Sequence, residues 1–324
     1  MSSRAAAVVA AFSLAALSCS SDSKSPAATA TTGGAVVDTS RLPTDTAAPD
    51  TTTTVMPNTV VATTVVPTTN SPTAVPPTAT THARTVLEVL VTDGGGFGAA
   101  GIDAIVELLR QRSDVHVSVW APLTNQSTTG DATSPTAPAI TDVMTQSGYP
   151  AKAVAGFPAD AVLAALATGA RFDLVVSGSN AGQSYGPLST SSGTLGAAAV
   201  GARAGIHAIA ISQGNPPAGQ DFDFAASVAV LDDYLRSHMG EYIDGSAPPF
   251  VSINVPTCPV GVTLLEPIDY LPAATDPNGR QLDAASDCDG NPAEQVDDVD
   301  AFNAGHSTIT QIDPTTLMGV VVPN

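Results

Sequence analysis

The chain has 324 residues and a formal net charge of −19, with 11 Lys and Arg against 30 Asp and Glu. Residues 1–84 carry four of each sign, so the whole excess falls on residues 85–324, where 7 basic residues face 26 acidic ones. Such a field repels DNA, RNA and anionic lipid surfaces, and it gives no help in steering a phosphorylated substrate.

In chain order, Met1 to Cys19 holds one charge, Arg4, then the apolar run Ala5–Leu17. That is a signal peptide, too short for a membrane span, and it predicts export. Ala16-Leu17-Ser18-Cys19 resembles a bacterial lipobox, whose cysteine is acylated and becomes the new N-terminus; the alternative is ordinary signal-peptidase cleavage nearby. Acylation of Cys19 would place the protein on the outer face of the cell membrane. Residues 20–84 are rich in Thr, Pro, Ala and Ser without helical or strand period, a composition that predicts a disordered tether.

Residues 85–324 alternate strand and helix patterns. Thr85–Val91 is a nearly continuous apolar run, the signature of a buried parallel strand. Ile102–Gln111 carries a helical apolar face, and Val115–Trp120 is the next strand. The same rhythm gives strand Ala151–Ala155 and helix Ala159–Ala167, strand Phe172–Ser177 and helix Thr194–Ala204, then strand Ile206–Ser212 and helix Phe222–His238. Phe250–Val255 adds a strand, the sequence then becomes loop-rich, and Met318–Val322 reads as a final strand. The pattern predicts an α/β, Rossmann-like doubly wound, mainly parallel sheet with a loop-rich C-terminal extension. Ligands of such sheets sit beyond the C-terminal strand ends, so the loops after Val91, Trp120 and Ser177 should converge.

With Cys19 set aside, Cys258 and Cys288 remain as an even pair in an exported chain, and a disulfide between them is expected. No CxxC or Cys/His cluster supports a metal site there.

Gly96-Phe97-Gly98-Ala99-Ala100-Gly101 matches GxGxxG between a strand and a helix, the context of dinucleotide binding. That fingerprint requires an acid at the end of the second strand, where this chain has Trp120-Ala121-Pro122, so nicotinamide and flavin binding are disfavoured. The glycines also allow a purely structural reading as a tight turn with close packing.

A more specific match covers the same loop. Thr92 to Ile102 resembles, without a gap, the opening signature of the SurE family, Thr-Asn-Asp-Asp-Gly-Phe/Tyr, one further residue, then Ala-Pro-Gly-Ile. The resemblance extends through Ala121–Gly130, Asp173–Gly182, Ser191–Ala198 and Gly205–Ser212, and Asn254-Val255-Pro256 matches the family's Asn-Val/Ile-Pro. It implies the family's fold and a divalent-metal phosphomonoesterase, a 5′/3′-nucleotidase acting on nucleoside monophosphates or other phosphate esters. It also implies Mg²⁺ or Mn²⁺, and possible homodimers.

Carried over residue by residue, Ser127 and Asn180 occupy two metal-ligand positions, while Gly94 and Gly95 stand where the family has its aspartate pair. Two carboxylates supply most of the charge that attracts a hard cation, so metal should bind weakly if at all. Asp93 is the only nearby acid and the candidate substitute, as ligand and catalytic group with Asn180. In an extended chain, however, its side chain would face away from the neighbouring position. Asn125, Ser192, Gly193 and Thr194 match the phosphate-binding positions, at the start of a helix whose N–H groups and dipole favour an anion. Read without the resemblance, Ser192 or Thr194 is an ordinary N-cap. The missing aspartates leave a second functional class open, a catalytically inactive extracytoplasmic lipoprotein that binds a nucleotide or other anion.

The remaining candidates are weaker. His82, His116, His207, His238 and His306 form no HxH or HExxH pair. Ser177 lies in no GxSxG elbow. Trp120 and Phe97 read as core rather than stacking platforms.

Overall fold

A computed structural model describes residues 86–222, 224–276, 281–290 and 296–320. All belong to one unit, Pro76–Asn324. The predicted signal peptide, Cys19 and the tether lie outside the described residues.

The elements are β1 (Leu87–Thr92), α1 (Ala100–Leu109), β2 (Val115–Pro122), β3 (Ile140–Met144), β4 (Pro150–Val154), α2 (Pro158–Ala167), β5 (Leu174–Ala181), α3 (Gly193–Arg203), β6 (His207–Gln213), α4 (Ala225–Asp244), β7 (Phe250–Val255), β8 (Leu265–Asp269), α5 (Asp298–Ala304) and β9 (His306–Gln311). One nine-stranded sheet has the order β3-β4-β2-β1-β5-β6-β7-β9-β8. Its centre, from β4 to β7, is wholly parallel. β3 and β9 run antiparallel to their inner neighbours, and β8 adds parallel to β9.

The central strands read as apolar runs because both faces are covered. On β1, Leu87, Val89 and Val91 pack with Ile102, Ile105 and Leu109 of α1 and with Leu231 and Leu235 of α4. Leu90 points the other way, toward Ala159 and Val162 of α2 and Leu195 and Ala198 of α3. Nearly every residue of α3 is buried. Its run of Gly and Ala lets the helix backbone lie close on the sheet.

The C-terminal extension is loop-rich as expected, and it also contributes three short elements that the sequence did not announce, β8, α5 and β9. Among the described residues, Met318–Val320 forms only an isolated bridge, Ile312 with Gly319, rather than a strand. Cys258 and Cys288 are bonded as expected, with S–S 2.09 Å and a sequence separation of 30. The extension also docks on the segment after β5. Tyr185 and Phe302 meet edge to face at 4.7 Å. Asp298 accepts from the N–H groups of Ala274 (2.8 Å) and Gly186 (3.0 Å). No described helix is long and apolar enough to cross a membrane.

Candidate active site

The loops after β1, β2 and β5 converge as the topology requires. They enclose a cavity of about 740 Å³ at the C-terminal ends of the strands, beside the point where chain order reverses between β1 and β5. Asp93, Asn125, Ser127 and Asn180 form its polar part, while Phe97, Leu123, Phe222 and Phe224 form an apolar wall.

Asp93 overturns the expectation that its side chain faces away. Strand alternation ends at Thr92, because the chain turns there: the Gly96 N–H donates to Asp93 O at 3.3 Å. The carboxylate folds back over the turn. Its Oδ2 accepts from the Gly95 N–H at 2.9 Å, and its Oδ1 accepts from Thr194 Oγ1 at 3.1 Å. A side chain at residue 95 would begin 2.7 Å from Asp93 Oδ2, and one at residue 94 would begin 3.4 Å from Thr194 Oγ1. The Asp93 carboxyl group therefore lies against the place from which a side chain at residue 95 would project, and it shares Thr194 Oγ1 with the place at residue 94. Burial pushes its pKa up to about 6, against the downward pull of hydrogen bonds from Gly95, Thr194 and Gly94.

The second loop is tied to this turn. The Gln126 N–H donates to Gly94 O at 2.7 Å. Asn125 Oδ1 accepts from both the N–H (2.9 Å) and the hydroxyl (2.8 Å) of Ser127, which fixes the serine at the cavity. Asn180, at the end of β5, donates through Nδ2 to Gly182 O at 2.6 Å and Ser184 Oγ at 3.4 Å. Its carbonyl oxygen is left as the atom available to a ligand.

Ser192, Gly193 and Thr194 are buried and are not part of the cavity lining. Ser192 caps α3, accepting from the Leu195 N–H at 3.3 Å, and donates to Ser184 Oγ at 3.0 Å. The Gly193 N–H donates to Ser127 O at 2.8 Å. Of the two readings open from sequence, the N-cap is the one Ser192 visibly serves.

The GxGxxG match has a packing explanation. A Cβ on Gly101 would lie 1.9 Å from Ser179 O and one on Gly96 would lie 2.9 Å from Pro122 O, whereas Gly98 faces open space. Phe97, expected in the core, is half-buried; it packs against the core and also lines the cavity. Trp120 packs against the opposite core cluster as expected. Among the described residues no histidine lines the cavity, and Ser177 is buried away from it.

Sequence reasoning missed Phe222 and Phe224, assigned there to a helix. α4 begins only at Ala225, and Phe224 precedes it in the left-handed region at φ 54°. The two rings stack at 5.6 Å with 14° between their planes. The only signal in the sequence was the Phe-x-Phe spacing before a helix that lacks a capping side chain.

A cation-binding set can be tested against these residues. Among the described residues, no group of three or more His, Cys, Asp or Glu is placed to hold a metal ion. The donors at hand are one carboxylate, one hydroxyl and one amide oxygen, all hard oxygen atoms that suit Mg²⁺ or Mn²⁺ in kind. Together they carry one negative charge, where an aspartate pair would carry two.

An open α/β sheet with a half-polar cavity at its switch point is the frame of a small-ligand-binding or hydrolytic domain. Residues 89–267 match the family model described as survival protein SurE, and the chain belongs to the SurE family. The 5'-nucleotidase SurE of Methanopyrus kandleri is 32% identical over 214 residues, covering 60% of this chain and 79% of that protein. The 5'-nucleotidase SurE of Archaeoglobus fulgidus is 30% identical over 244 residues, covering 70% and 91%. The crystal structure of the SurE protein from Aquifex aeolicus superposes with a TM-score of 0.55 at 22% identity, covering 70% of this chain and 93% of that one. That likeness establishes the shared fold.

Proposed function

We propose that this chain is a metal-dependent phosphomonoesterase of the 5′-nucleotidase kind, in which the single carboxylate of Asp93 replaces the family's aspartate pair. The observation that carries the reading is the position of that carboxylate, folded into the space beside Gly94 and Gly95. The relatives' names supply the substrate class, a nucleoside monophosphate or similar phosphate ester.

Asp93, Ser127 and the carbonyl oxygen of Asn180 would hold Mg²⁺ or Mn²⁺. When bound, such an ion polarises a phosphoryl oxygen and lowers the pKa of water. The Gly95 N–H and Thr194 hydroxyl hold the Asp93 carboxylate in place, so it needs little reorganisation when a cation arrives. Asn125 positions Ser127 and, being exposed at the cavity, has its amide N–H groups available to a phosphate oxygen. The domain's negative charge argues against fast capture of an anionic substrate, so kcat/KM is expected to be modest.

A second reading, an inactive protein that binds a nucleotide or anion, is favoured by one observation: both Asp93 oxygens already accept internal hydrogen bonds. Assays of the purified protein with nucleoside monophosphates and p-nitrophenyl phosphate, with and without Mg²⁺ or Mn²⁺, separate the two. Metal-dependent release of phosphate that disappears in Asp93→Asn supports the enzyme. Binding of the nucleotide without turnover under every metal tested supports the inactive binder.

We further read the protein as exported and held at the outer face of the membrane through acylated Cys19; Cys19→Ser should then release it into the soluble fraction. The family resemblance also suggests a homodimer, which sedimentation of the purified chain would test.

A further inference from the structure

The polar half of the cavity accounts for a phosphate and its cation, but it leaves the apolar wall without a role. Phe222 and Phe224 are stacked, and both line the cavity. Phe222 is half-buried and Phe224 is 6% exposed, so the outer ring is offered to the cavity and the inner ring backs it.

The backbone beneath the pair is held by a connected set of buried side chains. Ser179 Oγ donates to Ser227 Oγ at 2.9 Å, and Ser227 Oγ donates to Phe224 O at 3.0 Å. Gln213 Oε1 accepts from the Ser227 N–H at 2.9 Å, standing in for the missing cap of α4. These contacts hold Phe224 in a left-handed conformation that costs a non-glycine residue energy, as is common where a site needs one fixed geometry. Ser179 adjoins Asn180, so the aromatic wall is anchored one residue from a polar site residue.

We propose that Phe222, backed by Phe224, is the surface on which the cavity takes an aromatic group carried by the alcohol half of its substrate, a nucleobase being the fitting case. This specificity role rests on the phosphomonoesterase reading for its substrate, but not for its binding surface. Aromatic rings stack on any base through their π faces, and losing such a contact weakens binding roughly ten- to a hundredfold.

The test uses the full chain and the variants Phe222→Ala, Phe222→Leu and Phe222→Tyr. With adenosine 5′-monophosphate, KM should rise about tenfold in the Ala and Leu variants with kcat little changed, and Phe222→Tyr should behave as wild type. With glycerol phosphate, whose alcohol half has no ring, KM should not move. Equal effects on both substrates, or no effect on either, would overturn the proposal. Calorimetric titration with adenosine, without metal, keeps the question decidable if no ester is hydrolysed. Adenosine binding that is lost in Phe222→Leu then supports the platform while ending the phosphatase reading, and a wild-type protein that does not bind adenosine overturns the platform itself.

Discussion

Thr194 Oγ1 donates to Asp93 Oδ1 at 3.1 Å, joining the turn after β1 to the first turn of α3 across 101 residues of sequence. Both side chains are buried, and the carboxylate's other hydrogen bonds come from the backbone N–H groups of Gly95 and Gly94. Thr194→Val keeps the shape and removes the donor. It should cost about 1–3 kcal/mol of stability in urea denaturation, while Thr194→Ser should cost little. Asp93→Asn should lower metal-dependent turnover by about a hundredfold or more, and an unchanged rate would remove Asp93 from the proposed chemistry.

Restoring the family's aspartates is not a two-residue change. A side chain at residue 95 would start 2.7 Å from Asp93 Oδ2 and 2.9 Å from Ala99 Cβ, and one at residue 94 would start 3.0 Å from Ser127 Cα. The double variant Gly94→Asp/Gly95→Asp should therefore displace the Asp93 carboxylate and crowd three acids together. Adding Asp93→Asn, the residue of the family signature, keeps the size of that side chain but removes one of the three charges, which should relieve the repulsion. Calorimetry with Mn²⁺ should find tighter binding for the triple variant than for the double; the reverse order would show that crowding of three acids is not what limits the restored site.

Gly101 allows α1 to start directly against the end of β5, since its Cβ would lie 1.9 Å from Ser179 O. Gly101→Ala should destabilise by about 1–3 kcal/mol or more through overpacking. Because Ser179 adjoins Asn180, ligand binding should weaken as well. A variant with wild-type stability by chemical denaturation would show that the helix start yields easily.

Much of the fold was legible for one physical reason. β1, β5, β6 and β7 are mostly buried strands and β2 is half buried, and most of them read as apolar runs. The parts that escaped lie at edges or behind the extension. β3 and β8 expose most of their residues and so have no apolar signature. β9, His306-Ser-Thr-Ile-Thr-Gln, is polar in sequence although its middle is buried. In the site, convergence of the loops followed from topology, but the direction of Asp93 did not. Alternation is a property of extended backbone, and the turn begins at that residue. Phe224 was invisible for a related reason, since nothing in its identity announces a left-handed backbone.

Asp298 gives a pH-dependent test of how the C-terminal extension is held. Burial pushes its carboxyl up to about 6 from an ordinary 3.8, despite donors at Ala274 and Gly186. The fold thus favours the neutral form. Its stabilising contribution is full below about pH 4 and is lost as the pH rises through about 6. In denaturation curves from pH 4 to 7, the stability difference between Asp298→Asn and wild type should shift in favour of the variant. A constant difference across that range would mean the carboxyl titrates alike in both states.

The Cys258–Cys288 bond closes a loop of 30 residues around β8 and the adjoining segment. Loop-closure entropy for that length is about 3–4 kcal/mol. Reduction, or the double replacement Cys258→Ser/Cys288→Ser, should lower Tm by several degrees, and no change on adding dithiothreitol would mean the extension is held by packing alone.

The Asp93 carboxyl filling the ground beside Gly95 makes the history of this loop directional. An ancestor carrying the aspartate pair could lose it one residue at a time. With Asp93 in its present place, a lone mutation that returned an acid to position 95 would meet an occupied site and be disfavoured on packing grounds, before its benefit to metal binding could be felt. A side chain returned at position 95 requires the Asp93 carboxyl or Ala99 to shift, so a second carboxylate there comes with a rearrangement of the first.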